Sequence, residues 1–262
     1  MSFPVLIPAR NEAAHIAKTL HVLPPEAEPI VIPNGCDEDD ITPEIAEEFG
    51  ATVLEGSPRG KMRAIQFGMQ HLGERALEPF MVLDGDTRPL RPEKWLGAMT
   101  QTRTELDHDR PAVVTGSYRY EGLHPVTLVM LNAVVRLNNR VNHQKPGYAM
   151  SGANMLLHLK DQATVHSILE LPNIWPLADQ AIRAVALNHG GGLANNLGLD
   201  ARVITDAKDR YEGLFSNLKI SPRELFFGPL IPSDPDEAML RSYAAEAIPD
   251  MISYDDFQSA SA

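Results

Sequence analysis

Two carboxylates separated by one glycine stand at the end of an apolar run in FMVLDGDTRP, residues 80–89: Asp84 and Asp86 flank Gly85. Hard oxygen ligands at this spacing suit Mg2+ or Mn2+, with the other coordination positions filled by water and by phosphate oxygens of a substrate. On an extended segment, residues i and i+2 point to one side, and a glycine between them lets the backbone bend and a ligand approach closely. Asp-Gly-Asp-Thr is also favoured in simple turns, and the tetrapeptide alone does not choose between the two readings. The apolar run fits a short interior strand, and open α/β sheets bind ligands beyond the carboxyl ends of their strands, where these carboxylates would stand.

The surrounding segments supply such a sheet. FPVLIP and PIVIP are β-type runs, each followed by polar turn residues and then a helical pattern, NEAAHIAKTLHVL and PEIAEEFG. ATVLEG is a weaker strand ahead of the helix GKMRAIQFGMQHLGE, and the strand ending at Asp84 follows. Strands and helices alternating at this spacing predict right-handed crossovers and a mainly parallel sheet. Further on, KWLGAMTQTRTEL reads as helix, AVVTGSYRY as a strand, residues 126–142 as an apolar helix and YAMSGANMLLHL as a strand. Helices near 159–169 and 178–188 and a strand at ARVIT complete the reading. No repeat, low-complexity tract or Ser/Gly-rich linker divides the chain, so residues 1–232 are expected to form one domain. The acidic segment 233–262 reads as a surface extension.

Composition narrows the function. At 262 residues and 44% hydrophobic content the chain can bury a proper core. A formal net charge of -12 argues against a nucleic-acid partner, which would require a basic footprint. The single Cys36 excludes an internal disulfide and a cysteine zinc cluster, and MSFPVLIPAR has neither a charged leader nor a long apolar stretch. A reducing, cytoplasmic location is the expectation. No window reaches the length of a membrane span, and the apolar stretch at 126–142 is broken by Asn132 and Arg136. Core packing is the better reading of it, with peripheral membrane contact left open.

Five motifs in order give the sequence a resemblance to the family 2 glycosyltransferases of the GT-A fold: VLIPARNEAAHIAKTL, VIPNGCDEDD, SPRGKMRAIQFGM, VLDGDT and SGANMLL, spread over residues 3 to about 190. The resemblance implies an α/β fold of GT-A type, a Rossmann-like, mostly parallel central sheet flanked by helices. Residues 1–110 would be the nucleotide-binding half and 111–232 the acceptor-side half. It places Pro8, Arg10 and Glu12 in the loop bordering base and ribose, Asn34 at the base, and Gly152 and Asn154 in the sugar and acceptor region. Lys61, behind Gly60 at a helix start, would face phosphate, where free amides and a cation favour an anion. Asp84, Gly85 and Asp86 would form the DxD motif, with Asp86 on the divalent metal, Mn2+ or Mg2+, and Asp84 on ribose or metal. His189, Asp206 and Asp209 are candidates for a further metal ligand.

An inverting transfer needs a base to take the proton of the acceptor hydroxyl. The family draws it from an acidic pair opening a helix after the Gly-Ala-Asn segment. Here WPLADQAIRAVAL has Ala178 at the first of those positions, which leaves Asp179. The Gln-x-x-Arg-Trp motif of the family's processive polymerases is missing, as are their membrane helices. The resemblance therefore implies an enzyme adding one sugar from a nucleotide-diphosphate donor, most often UDP-linked, to a hydroxyl acceptor, either a small molecule or a lipid-linked glycan. The alternatives are a non-catalytic nucleotide-binding relative acting as a partner subunit and, disfavoured by the lack of glycine in IPARNEAAHI, a sugar nucleotidyltransferase. Oligomeric state is unreadable from the sequence.

Overall fold

The computed structural model describes residues 2–106, 109–116, 118–121, 128–129, 133, 154–171, 173, 178–194 and 203–206. Its central sheet has seven strands: β1 (Phe3–Ala9), β2 (Ala27–Pro33), β3 (Thr52–Val53), β4 (Phe80–Leu83), β6 (Ala112–Thr115), β8 (Asn154–His158) and β9 (Gly192–Ala194). Their order is β3-β2-β1-β4-β8-β6-β9. β3, β2, β1 and β4 run parallel, β8 lies antiparallel between β4 and β6, and β9 is parallel to β6. The sheet is thus mostly parallel, and the carboxyl ends of β1 to β4 open on one edge.

Strands covered on both faces must be apolar on both, which is why these segments read as continuous runs. Alternate residues go to opposite sides. Leu6, Ile30, Ile32, Phe80, Val82, Met155 and Leu157 face a cluster built with α3 (Lys61–Leu72), α5 (Gln162–Leu169) and α6 (Ala178–Asn188). Val5, Ile7, Val31, Met81, Leu83 and Leu156 face a second cluster with α1 (Ile16–His21), α2 (Thr42–Glu48) and α4 (Pro92–Glu105), closed by Trp95. In α3, Met62, Ile65, Met69 and Leu72 recur at helical spacing and are all buried. Gly68 lets this helix sit close to the sheet, because a Cβ there would lie 2.7 Å from Ile32 Cδ1 and 2.9 Å from Leu6 Cδ1.

The structure departs from the sequence reading in two places. AVVTGSYRY is two strands in two sheets: β6 ends at Thr115, and β7 (Tyr118–Glu121) joins a separate three-stranded sheet, β5-β10-β7. β5 (Thr87–Pro89) follows the Asp84–Asp86 loop directly, and β10 (Val203–Asp206) is the ARVIT strand, antiparallel to β5 and parallel to β7. The helix of NEAAHIAKTLHVL begins only at Ile16, because Asn11 takes a left-handed φ of 56° and residues 10–15 form a loop. The apolar segment 126–142 lies outside the described residues except for 128, 129 and 133, and so does the whole of 233–262. Among the described residues, no helix is long and apolar enough to cross a membrane.

Candidate functional site

The loops after β1 and β2, the turn before α3 and the loop after β4 all lie at the carboxyl edge of the parallel strands, the usual ligand edge of such sheets. Side chains lock them together. Asn11 Nδ2 donates to Asp37 Oδ2 at 2.7 Å, and the Asp37 amide returns a bond to Asn11 Oδ1 at 3.0 Å. Asn34 Nδ2 donates to the Ala9 carbonyl at 3.0 Å, and the Glu12 amide donates to Thr42 Oγ1 at 2.9 Å. Pro8 is buried in β1, Arg10 is exposed and Glu12 is half-buried beside the carboxylate loop. Gly85 is needed for that approach: a Cβ there would stand 3.0 Å from Glu12 Cγ and 3.3 Å from Ala9 Cβ.

Asp84, Gly85 and Asp86 form a β-turn rather than the extended segment the spacing suggests, closed by the Thr87 amide donating to the Asp84 carbonyl at 2.9 Å. The turn sends the two carboxylates to different supports. Asp84 Oδ1 receives Lys61 Nζ at 2.5 Å. Asp86, 7% exposed, accepts Thr87 Oγ1 at 3.1 Å, and Thr87 Oγ1 lies 2.9 Å from Thr205 Oγ1. The small sheet therefore carries the strut behind Asp86, and the Arg88–Glu121 ion pair holds β5 to β7. A β-turn and a carboxylate site are here one structure.

Lys61 is the first residue of α3, where the sequence reading set it, with Gly60 as the cap at φ 116°. Asn173 closes this turn from the other side. Its Nδ2 donates to the Arg59 carbonyl at 2.8 Å, it is 2% exposed, and its Oδ1 would lie 2.3 Å from a Cβ on Gly60. Gln66, one turn into α3, donates Nε2 to the carbonyls of Ile168, Leu169 and Leu171 at 2.9, 3.3 and 2.8 Å. These are the open carbonyls at the end of α5, so one buried amide ties α3 to the chain leading to α6.

Asp179 lies in the first turn of α6. Burial raises the pKa of its carboxyl; Lys61 lowers it, Asp84 raises it and Arg183 lowers it. Those Coulombic partners put the candidate base within electrostatic reach of the Lys61–Asp84 pair. Ala178 packs into the apolar cluster instead, so an acidic residue there would lie in the core. Arg183, one turn beyond Asp179, is 2% exposed, and burial lowers its pKa against the pull of Asp179.

Other expectations land elsewhere. Asn154 opens β8 fully buried, its Oδ1 accepting from Trp95 Nε1 at 3.4 Å. His189 follows the far end of α6, about 15 Å along the helix from Asp179, and lies 3.0 Å from Ser167 Oγ. That position takes it away from the Asp84–Asp86 turn as a metal ligand. Asp206 closes β10 next to Thr205, while Asp209 and Gly152 lie outside the described residues. Asn173, Arg183 and Thr205 were not singled out from the sequence, because neither an isolated Asn, Arg nor Thr carries a motif.

No protein-family model matches the chain, and no curated protein matches it either. Similar solved structures exist. A mannosyltransferase from Pyrobaculum calidifontis in complex with GDP-Man and Mn2+ is 15% identical, with a TM-score of 0.54 over 99% of this chain and 78% of that one. Glucosyl-3-phosphoglycerate synthase from Mycobacterium tuberculosis is 13% identical, with a TM-score of 0.47 over 87% of this chain and 81% of that one. For a mycobacterial protein the values are 16% and 0.49, over 78% of this chain but only 65% of that protein's length. With the mannosyltransferase as its match, the chain has a GT-A type of α/β fold, a mostly parallel Rossmann-like sheet flanked by helices.

Proposed function

We propose that the protein is a metal-dependent, inverting glycosyltransferase of the family 2 type that moves a single sugar from a nucleotide-diphosphate donor to a hydroxyl acceptor. The observation that carries this reading is the meeting of Lys61, Asp84 and Asp179 at the strand ends, two carboxylates and a cation drawn from three elements. The donor nucleotide is UDP or GDP. UDP follows from the resemblance, and GDP is the nucleotide of the GDP-Man in the similar mannosyltransferase complex.

The residues present fit a divalent ion. Asp84 and Asp86 offer hard oxygens from one turn, and such ions commonly take one or two carboxylates and complete their shell with water and substrate phosphate. Among the described residues no group of three or more His, Cys, Asp or Glu could hold a metal by itself. When bound, Mn2+ or Mg2+ supplies Lewis-acid stabilisation of charge on the departing diphosphate.

The chain's own groups do the rest. Lys61 and the amides at the start of α3 hold phosphate oxygens, Asn34 and the loop of Arg10 and Glu12 border the nucleoside, and Asp179 accepts the acceptor's proton. The raised pKa of Asp179 suits a general base working near neutral pH. A panel of UDP- and GDP-sugars with Mn2+ and a mixture of small-molecule and lipid-linked hydroxyl acceptors, followed by proton NMR, tests the reading. One donor is expected to be consumed with inversion at its anomeric carbon, and Asp179→Asn is expected to stop turnover. A retained configuration, or no consumption of any donor, would contradict it.

A further inference from the structure

Arg183 presents an anomaly that the proposed reaction does not absorb. Its side chain is 2% exposed, and neither terminal nitrogen donates a hydrogen bond to any residue of the structure. A buried guanidinium carries five donors and cannot shed its charge, so leaving them unmade is destabilising unless something else fills them. Buried polar groups are nearly always satisfied, which makes such an exception a pointer to a missing partner.

Its surroundings say what kind of partner. Arg183 is four residues after Asp179, on the same side of α6, and helical side chains lean toward the start of their own helix. Arg183 therefore shares a helix face with the candidate base. Asp179 lies within Coulombic reach but not in contact: no ion pair joins them, and both terminal nitrogens stay unbonded. Asp179 also feels Lys61 and Asp84, whereas the only charge acting on Arg183 among the described residues is Asp179. Asp179 is thus the charge that Arg183 shares with the Lys61–Asp84 pair.

We infer that Arg183 is an acceptor-specificity residue: it binds an anionic group, carboxylate or phosphate, carried close to the hydroxyl that Asp179 deprotonates. One molecule that donates a proton to Asp179 and presents oxyanions to Arg183 would satisfy both groups, and a planar guanidinium matches either anion with two parallel bonds. The acceptor is then a small hydroxy acid or hydroxy-phosphate and not a neutral glycan. This inference rests on the reading of Asp179 as the base.

The test uses the full chain and thermal unfolding with millimolar glycerate, glycerol 1-phosphate and neutral glycerol as probes, with UDP or GDP plus Mn2+ as a parallel arm. Wild type is expected to be stabilised by at least one of the two anions and not by glycerol, and the anion that works tells carboxylate from phosphate. Arg183→Met is expected to weaken the anion response at least tenfold, leave the nucleotide–Mn2+ response within twofold, and keep or raise the unfolding temperature, since it removes an unpaired buried charge. A purely structural arginine would instead lower that temperature and leave the anion response unchanged, which overturns the inference. Loss of the nucleotide–Mn2+ response in Arg183→Met also overturns it and moves the residue to the donor side. Wild type that answers nucleotide and metal but neither anion overturns it while leaving the glycosyltransferase reading intact; no answer to nucleotide and metal defeats that reading first. If Arg183→Met does not fold, Arg183→Lys keeps the charge without the fork and is expected to weaken the anion response at least fivefold.

Discussion

Lys61 Nζ sits 2.5 Å from Asp84 Oδ1, joining the first residue of α3 to the loop that ends β4. The lysine neutralises one of two neighbouring carboxylates and is held at the start of a helix. Replacing it with Met removes a charge-assisted bond to phosphate, so nucleoside-diphosphate affinity should fall by about tenfold or more, a loss of about 1.5–3 kcal/mol. Because both partners are partly exposed, the loss of folding stability should stay within about 1 kcal/mol. Calorimetric titration beside a thermal melt separates the two effects.

The Thr205–Thr87–Asp86 chain predicts a role for residues that touch no ligand. Thr87→Val keeps the shape but leaves Asp86 and Thr205 without their shared hydroxyl. Outer supports of metal ligands commonly contribute 10- to 100-fold in metal affinity, and a loss of about that size is expected in Mn2+ titrations at fixed nucleotide. An unchanged Mn2+ midpoint would show that Asp86 does not need the strut.

Burial raises the Asp179 carboxyl above the ordinary carboxylate range, which fixes two signs. A base must be ionised, so kcat/KM should rise with pH on an acid limb lying above the usual range for a carboxyl. Folded-state stability should move oppositely: the native state holds this proton longer than the unfolded chain, so stability falls as pH rises from the unfolded pKa through the folded one and stays lowered above it. Asp179→Asn removes both trends, and it should melt no lower than wild type at neutral pH. The pH-rate profile of wild type and the pH-melting profiles of both proteins check this.

Gly60 has two reasons to be glycine: a φ of 116° and Asn173 Oδ1 at 2.3 Å from any added Cβ. Gly60→Ala should therefore cost about 1–3 kcal/mol through backbone strain and displacement of Asn173. Since that displacement moves Lys61, nucleotide affinity should fall with it. Denaturant unfolding with and without nucleotide reads both.

Asp161 caps α5, its Oδ1 accepting the Thr164 amide and Thr164 Oγ1, both at 2.9 Å. Asp161→Ala should remove about 1 kcal/mol of stability without touching the site. The Thr164 amide bond lowers the Asp161 pKa, so this contribution is present above the unfolded pKa and is lost as pH falls through the folded one. Urea midpoints at neutral and acid pH measure it.

What could be read directly from the chain was local. The start of α3 was legible because Gly60 precedes apolar residues at 62, 65, 69 and 72, and β4 because four apolar residues end at Asp84. The split of AVVTGSYRY was not: Gly116 and Ser117 are the one small break in a run of strand-forming residues, and only tertiary pairing to β10 draws Tyr118–Glu121 into a second sheet. The supports of the site were hidden for the same reason. Thr87 meets Thr205 across 118 residues, and Asn173 meets Arg59 across 114, separations at which sequence pattern carries no pairing information. Asp179 could be reached only through the resemblance, whereas its charge environment follows from the fold.

The most direct test of the central claim is calorimetric binding of UDP and GDP to wild type and Asp86→Asn, each with Mn2+ and with chelator. One nucleotide is expected to bind wild type only with the ion, and Asp86→Asn is expected to lose that binding while keeping its fold. Binding that ignores both chelator and Asp86→Asn, or no binding of either nucleotide, would contradict a metal-dependent nucleotide-sugar site at the Asp84–Asp86 turn.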